Sequence, residues 1–273
     1  MERIESASNT KIKCTAALHL RKERDKREEF IAEGVRLCEE AAASDWPLKF
    51  CLVTAQAFEN RRVRAVVDAL EARGCPVSLT TPGAYKKASA TETPQGILLV
   101  IKKATVALAS LKIEETPLVA VLDGIQDPGN AGTILRTADA AGCTGIVALE
   151  GTVDLFAEKT VRSAMGSLFH LPIVAQTTAA KWLAYAKAQG ISCYVSALDK
   201  EAAPYYSVNY RRPAAVVFGN EGSGVSTALL DAAPHLYIPM HGGTESLNVA
   251  ASAAIILYEA FRQRHIPDSF QQR

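Results

Sequence analysis

The chain has 273 residues, of which 48% are hydrophobic and 22% are charged, and its net charge is only +1. This composition is typical of a globular protein with room for two domains of ordinary size. Its longest uncharged apolar runs fall short of the ~20 residues that span a membrane, and the polar residues 1–13 lack a signal-peptide core, so we expect a cytosolic protein without membrane contact.

The N-terminal part predicts a small α/β sandwich, because strand and helix patterns alternate. The predicted elements are a helix over 8–29, a strand over 29–33, a helix over 35–43, a strand over 48–54, a helix over 59–73, a strand over 76–80, a short helix near Tyr85 and a strand over 96–102. The weakly periodic stretch that follows predicts a boundary, with a domain over 1–106 and a linker over 107–116.

Residues 1–106 hold 18 Lys and Arg against 14 Asp and Glu, a net charge of +4, whereas the rest hold 12 against 15, a net charge of −3. The first domain is therefore better suited to a polyanionic partner. The dense charge run over 21–29 is more often a solvated helix face than an arm that contacts phosphates.

Residues 117–273 predict a parallel α/β sheet covered by helices, because apolar strands, glycine-bearing loops and helices recur. Strands are predicted over 118–125, 145–149, 170–174, 191–198, 214–218 and 236–239, with helices over 133–141, 156–167, 179–189, around Leu229 and over 247–261. The last helix carries small or apolar residues on nearly every face, which predicts that it is buried. Ligands are expected at the carboxyl ends of the strands.

The six cysteines are widely separated, with no C-x-x-C pair and no histidine cluster nearby. This spacing predicts reduced, mostly buried thiols and neither a disulfide scaffold nor a metal site.

Polar, glycine-bearing loops follow three of the strands, at 123–132, 218–224 and 241–246. The spacing at Gly219 is not that of a dinucleotide fingerprint, and no G-K-[ST] of a phosphate-binding loop occurs. Each loop alone is more often a structural turn. In one parallel sheet, however, the three loops would converge on a single crevice.

The order of these loops carries a more specific signal. The chain reads N-A-G-T-I-L-R-T-A-D-A-A-G, then F-G-N-E-G-S-G-V, then I-P-M-x-G-x-x-x-S-L-N-V-A. It thereby resembles the SpoU/TrmH family of SPOUT-class RNA ribose 2′-O-methyltransferases. The stretches E-G-V-R-L and T-P-Q-G-I are similar to the family's N-terminal substrate-binding domain, which itself resembles ribosomal RNA-binding proteins.

The resemblance implies a deep trefoil knot around the last helix, bound S-adenosylmethionine, and a homodimer with the last helix and Arg162 near its interface. Its motif positions imply cofactor contacts from seven residues: Ser196, Phe218, Gly219, Asn220, Ile238, Met240 and Leu247. The apolar members suit an adenine face, and backbone N–H and C=O groups suit its edge.

The catalytic residues implied by the resemblance are Asn130, Arg136, Glu221, Ser246 and Asn248. In this family the arginine of the first motif, here Arg136, has the role of base. A guanidinium is ordinarily never deprotonated, so Arg136 is equally suited to hold the target phosphate and stabilise an alkoxide while water or phosphate accepts the proton. Its structural alternative is a salt bridge to Asp139 or Glu221.

The roles of the other residues also have alternatives. Glu221 organises the site through loop amides or Arg136, or is a solvated acid. Ser246 and Asn248 bind the target nucleotide or the methionine end of the cofactor, unless Ser246 only caps the helix. His241 is more often a bystander than an RNA contact.

The sequence therefore predicts 2′-O-methylation of a ribose in structured RNA, with large-subunit rRNA as the first choice because of the added N-terminal domain. A tRNA substrate and a non-catalytic RNA-binding assembly factor are the alternatives, and no catalytic acids support a small-molecule enzyme. Nothing favours antibiotic resistance over housekeeping modification, and the target base is not encoded in any residue pattern. We also expect that deletion of residues 1–102 leaves a folded, cofactor-binding dimer that no longer selects its RNA.

Overall fold

The protein is described here by a computed structural model, which covers residues 1–111, 115–199, 201–243 and 246–266. By its contacts, the chain forms two compact units. The first comprises Met1–Ala104 together with Asp154–Phe169, and the second comprises Thr105–Val153 together with the chain from His170 onward. The limits 1–106, 107–116 and 117–273 stay a sequence prediction, which did not anticipate that 154–169 joins the first unit.

The first unit contains a mixed five-stranded sheet. Its strands are β1 (Glu2–Ile4), β2 (Glu29–Glu33), β3 (Leu48–Thr54), β4 (Val77–Thr80) and β5 (Ile97–Lys102), in the order β1-β4-β3-β5-β2. Strands β1, β4 and β3 run parallel, and β5 is antiparallel to both β3 and β2. The helices are α1 (Thr10–Ala17), α2 (Arg21–Arg27), α3 (Val35–Ala43), α4 (Ala55–Phe58), α5 (Arg61–Ala72) and α6 (Pro82–Ala88).

Apolar side chains on both faces of this sheet explain why helices cover both. Successive side chains of a strand point to opposite faces. One face packs with α1 and α6 in a cluster that includes Ile31, Leu52 and Leu98. The intervening residues, such as Ala32 and Val53, are also fully buried. The predicted α/β sandwich is confirmed, and strands 29–33 and 48–54 and helix 35–43 have the predicted bounds.

The single helix predicted over 8–29 is wrong, because α1 and α2 are separate helices. Arg24 supplies the physical reason. Its Nη1 donates to the carbonyl oxygens of Leu18 and His19 at 2.8 and 2.9 Å, which pulls the connecting turn inward. Arg24 is buried, so the charge run over 21–29 is not simply a solvated face.

The second unit is built on a seven-stranded sheet in which every pair of neighbours is parallel. The strands are β6 (Leu118–Asp123), β7 (Gly145–Leu149), β8 (Ile173–Thr177), β9 (Ser192–Ser196), β10 (Ala203–Pro204), β11 (Ala214–Gly219) and β12 (His235–Tyr237), in the order β10-β12-β9-β11-β6-β7-β8. The helices after α6 are α7 (Pro128–Ala140), α8 (Glu158–Ala164), α9 (Ala179–Ala188), α10 (Thr227–Leu230) and α11 (Val249–His265), of which α8 belongs to the first unit.

The predicted parallel sheet is thus confirmed, whereas the knot stays a prediction. Helix α7 begins earlier than predicted, at Pro128, because Asp127 caps it by accepting from the N–H of Asn130 at 2.9 Å. Proline suits the first helical position, where the N–H has no helical partner. Strand β10 lies between the predicted strands over 191–198 and 214–218, where no element was predicted.

Segment 154–169 fills a gap in the first unit. Phe156 and Phe169 lie against Phe30, with ring centroids 5.1 and 6.2 Å apart, and against Trp46. Asp154 accepts from Nε of the buried Arg24 at 2.7 Å. Deleting residues 1–102 would expose Phe156 and Phe169 and leave the Asp154 carboxylate without Arg24. On this structure the remainder is therefore not expected to fold by itself.

Helix α11 is buried on one side only in this chain. Its buried residues are Ala250, Ala253, Ile256, Leu257 and Ala260, and it packs against α7 and β11. The opposite face is open, with Tyr258 49% exposed, so the prediction of an all-round buried helix is wrong for the single chain. Thr244 and Glu245, which belong to the polar loop at 241–246, lie outside the described residues.

All six cysteines are free thiols, four of them buried, as predicted. Burial raises the pKa of Cys143 to about 12, which keeps that thiol protonated. No helix in the described ranges is long and apolar enough to cross a membrane. The same ranges contain no group of three or more His, Cys, Asp or Glu placed to hold a metal ion.

Candidate active site

The three polar loops meet at one edge of the seven-stranded sheet. Strands β12, β9, β11 and β6 are consecutive neighbours in the sheet, and all run in the same direction. The last residues of β11 and β6, Gly219 and Asp123, are register partners. The loops that follow them therefore start side by side, as the parallel arrangement predicted.

The loop after β11 folds back tightly on Gly219. Asn220 and Gly224 exchange two backbone hydrogen bonds of 2.9 and 3.0 Å. A Cβ on Gly219 would lie 2.5 Å from the carbonyl carbon of Gly224 and the nitrogen of Val225, so only glycine fits.

The side chain of Asn220 is used to organise these loops. Its Oδ1 accepts from the N–H groups of Gly222 and Ser223 at 2.8 and 2.9 Å, and its Nδ2 donates to the carbonyl of Gly124 at 2.8 Å. Asn220 lines the cleft, but its amide is engaged within the protein. We therefore assign it to shaping the cofactor loop rather than to a side-chain contact with the cofactor.

Glu221 connects this loop to the loop after β6. Its Oε1 accepts from Nδ2 of Asn130 at 2.8 Å and from the N–H of Asp127 at 3.2 Å, and its Oε2 accepts from the N–H of Gln126 at 3.1 Å. Partial burial raises the pKa of Glu221, but these hydrogen bonds outweigh it and leave the pKa below the ordinary value. The ionised carboxylate thus holds the first loop against the second.

Asn248 adds the third loop to the same network. Its Nδ2 donates to Oδ1 of Asn130 at 3.1 Å. Its Oδ1 accepts from the N–H groups of Ala250 and Ala251 at 2.9 and 3.3 Å, which makes it the N-cap of α11. Helix capping, considered above for Ser246, is performed by Asn248, and Asn130 lies between the two partners Glu221 and Asn248.

The converging loops enclose a cleft of about 570 Å³. This volume lies within the ~300–1,000 Å³ that is common for small-molecule sites. Nine of the twelve predicted site residues line it: Ser196, Gly219, Asn220, Glu221, Ile238, Met240, Ser246, Leu247 and Asn248. Phe218 is fully buried in β11 and does not line the cleft.

Arg136 stands apart from this cleft. It is exposed on α7, and among the described residues it makes no hydrogen bond or ion pair. The two partners predicted for a salt bridge are engaged elsewhere, since Asp139 bonds to His170 and Glu221 to Asn130. Arg136 lies six positions after Asn130, so the two side chains point about 120° apart around the helix.

Sequence reasoning missed a buried acid that supports the site. Asp123 is 8% exposed, and its Oδ2 accepts from the N–H of Ser226 at 2.7 Å, just after the glycine loop. Thr152 adds a second support by accepting from the N–H of Gly124 at 3.1 Å and donating to Leu122. An aspartate inside the apolar run 118–125 was a signal that could have identified Asp123.

The comparisons with known proteins match both parts of the chain. Residues 117–258 match the SpoU rRNA Methylase family, and residues 9–99 match the MRM3-like substrate binding domain. The chain belongs to the SpoU rRNA methylase family. The resemblance drawn from the three motifs and from the two N-terminal stretches is confirmed.

Individual relatives agree over nearly the whole chain. A 23S rRNA (guanosine(2553)-2′-O)-methyltransferase, RlmP, of Bacillus subtilis is 39% identical over 94% of this chain and 98% of its own. A 23S rRNA (uridine(2479)-2′-O)-methyltransferase of Streptomyces viridochromogenes is 29% identical over 91% and 88%. The crystal structure of an AdoMet-bound rRNA methyltransferase from Sinorhizobium meliloti superposes with a TM-score of 0.87 at 29% identity, over 97% of this chain and 99% of that one.

Proposed function

We propose that this SpoU methylase transfers a methyl group from S-adenosylmethionine to a ribose 2′-oxygen in large-subunit rRNA. The observation that carries the proposal is the convergence of the three motif loops on one cleft in a chain related over almost its full length to 23S rRNA 2′-O-methyltransferases. Because rRNA is the proposed substrate, we infer a cytoplasmic location.

The cleft fits the cofactor on its own chemistry. Ile238, Met240 and Leu247 provide apolar surface for the adenine ring, and Ser196 and Gly219 contribute polar backbone groups at the strand ends. The tight turn at Gly219, which has no space for a side chain, lets the backbone approach the ligand closely. Bound S-adenosylmethionine supplies an electrophilic methyl group on a sulfonium.

The chain's own contribution to the reaction is mainly alignment, which can lower a barrier by roughly 7–11 kcal/mol. Asn130 is held between Glu221 and Asn248, so its position is fixed before RNA binds. We assign these residues, with Ser246, to placing the target ribose beside the cofactor. Glu221 is committed to backbone N–H groups and to Asn130, which suits a positioning carboxylate rather than a base.

Arg136 is assigned to the target phosphate and to the developing alkoxide, with water or phosphate as the proton acceptor. Its exposure and lack of partners among the described residues leave its five donors available to an incoming phosphate. The guanidinium remains protonated throughout, since its charge is what stabilises the transition state.

A homodimer gives the open face of α11 a partner. Tyr258, 49% exposed, projects from this largely apolar helix, which packs against α7, the helix that carries Arg136. A second copy docked here would cover the exposed face, and Arg136 of one copy would then serve the cleft of the other. Mixing the inactive Arg136→Ala variant with the inactive Gly219→Ala variant tests this arrangement. Regained activity supports the shared site, and a mixture that stays inactive refutes it.

The function is tested with tritiated S-adenosylmethionine and RNA from a strain that lacks the gene. We expect label in large-subunit rRNA at one ribose, which becomes resistant to alkaline cleavage. Label in tRNA alone would replace the substrate assignment. Cofactor binding without transfer to any RNA would instead favour an assembly factor.

A further inference from the structure

A groove of about 650 Å³ lies in the first unit, within residues 1–104, and has no role in the chemistry described above. It lies where β3 and β4 end and β5 begins, between the chain after β2 and the loop before β5. Five of its lining residues are apolar: Val35, Ala57, Val63, Pro82 and Pro94. Apolar surface of this kind can support the face of a base or a ribose.

Two glycines set the walls of this groove. A Cβ on Gly96 would lie 2.5 Å from Oγ1 of Thr54 and 2.7 Å from Cβ of Ala57, so the loop before β5 can lie against β3 only without a side chain there. Gly34 has φ +104, a conformation open mainly to glycine, and faces Gln95. The walls are thus fixed by close backbone approach.

The polar rim of the groove presents hydrogen-bond donors. Oε1 of Gln95 accepts from the N–H of Val35 at 2.9 Å, and Oδ1 of Asn60 accepts from the N–H of Arg62 at 2.8 Å. These bonds fix each amide so that its NH₂ group is the end left for a ligand. Both residues line the groove.

The rim also carries two arginines, Arg62 and Arg36, both of which lower the pKa of Glu39. Arg62 lines the groove, but its guanidinium is paired with Glu39. Arg36 is exposed at the rim, and among the described residues it makes no hydrogen bond or ion pair. A guanidinium of this kind is suited to a phosphate.

A nearby carboxylate does not compete for the same ligand. Glu33 accepts from the hydroxyl groups of Tyr85, Ser89 and Thr91, at 3.2, 2.6 and 2.8 Å. These bonds also tie the loop after α6 to the end of β2, which stiffens the wall that carries Gln95. The groove therefore combines apolar lining residues, fixed donors and a guanidinium that makes no ion pair among the described residues.

We propose that this groove binds an unpaired nucleotide of the RNA substrate, with Arg36 on its phosphate and the amides of Asn60 and Gln95 on acceptor atoms of its base. Sequence-specific recognition of RNA relies on such splayed nucleotides, because the grooves of paired RNA are read poorly. The inference rests on the proposed function, since it locates where the RNA of the same reaction is selected.

The test uses the full chain and two nearly isosteric changes, Asn60→Asp and Gln95→Glu, together. Each new carboxylate keeps the oxygen that accepts from the backbone N–H, but it replaces the donor NH₂ with an anionic oxygen. We expect the KM for a protein-free large-subunit rRNA transcript to rise by about tenfold or more, because this is the typical effect of losing a good base contact. The kcat, the melting temperature and the Kd for S-adenosylmethionine should stay unchanged.

Arg36→Ala should also raise this KM, whereas Arg61→Ala is the matched control, an exposed arginine of the same unit that does not line the groove. An unchanged KM in the double variant overturns the proposal. An increase in KM for Arg61→Ala equal to that for Arg36→Ala also overturns it, because it indicates that RNA responds to diffuse surface charge. Loss of activity on ribosomal particles but not on naked rRNA would assign the groove to a protein and overturn it as well. If the wild-type protein methylates no RNA, the proposed function itself fails, which is a distinct result.

Discussion

Replacing Arg136 by alanine separates catalysis from every other property of the protein. The side chain is exposed and makes no bond among the described residues, so the free energy of unfolding should change by less than about 0.5 kcal/mol. It does not line the cleft, so the Kd for S-adenosylmethionine should stay within about threefold. The rate of methyl transfer should fall by about 10²–10³, the cost of one donor to a developing oxyanion.

The assay is single-turnover transfer of a tritiated methyl group to rRNA, with cofactor affinity measured by calorimetry on the same preparations. Lys187→Ala, an exposed cation on α9, is the control for loss of surface charge. Arg136→Lys keeps the charge but loses the planar pair of donors, so it should recover only part of the rate. Activity of Arg136→Ala near that of the wild type would refute the role assigned to this residue.

Three further changes test separate parts of the structure. Gly219→Ala should abolish cofactor binding because its Cβ would clash with backbone at 2.5 Å, whereas Gly242→Ala, with open space around it, should bind normally by calorimetry. The hydrogen bond to Glu158 raises the pKa of His19, although burial acts to lower it. Protonated His19 therefore stabilises the folded state fully below pH ~6.5, the ordinary pKa of histidine. This stabilisation is lost as the pH rises through the higher pKa that His19 has in the folded state. His19→Gln should therefore flatten the alkaline fall in melting temperature; an identical pH profile would contradict this. Ala250→Leu should cost about 1–3 kcal/mol by overpacking, and an unchanged melting temperature would argue against tight enclosure of the start of α11.

The elements that were predicted accurately are those whose signals are local. Strand β3 is an apolar run that ends at Thr54, which caps the next helix by accepting from the N–H of Ala57. The break between α1 and α2 depends instead on Arg24, whose partner Asp154 is 130 residues away. No periodicity within residues 8–29 contains that information.

The site divides in the same way. That three loops would share one edge follows from parallel strands, whereas the individual residues of the cleft were implied by the resemblance of the three motifs. The bond between Asn130 and Glu221 joins residues that are 91 positions apart, which no local pattern encodes. The engagement of Asn220 within the loops was hidden for the same reason.

Helix α11 shows why apolarity around a whole helix need not mean burial in one chain. Its residues from Ala250 to Ala260 on one side are covered by α7 and β11, which accounts for half of the pattern. Tyr258 lies on the other side and is 49% exposed, although exposed apolar surface is costly unless a partner covers it. The sequence encodes burial in the working assembly, so the uncovered half of the pattern is an argument for the proposed homodimer. The same docking would give a cleft to serve to Arg136 on α7, which makes no ion pair among the described residues.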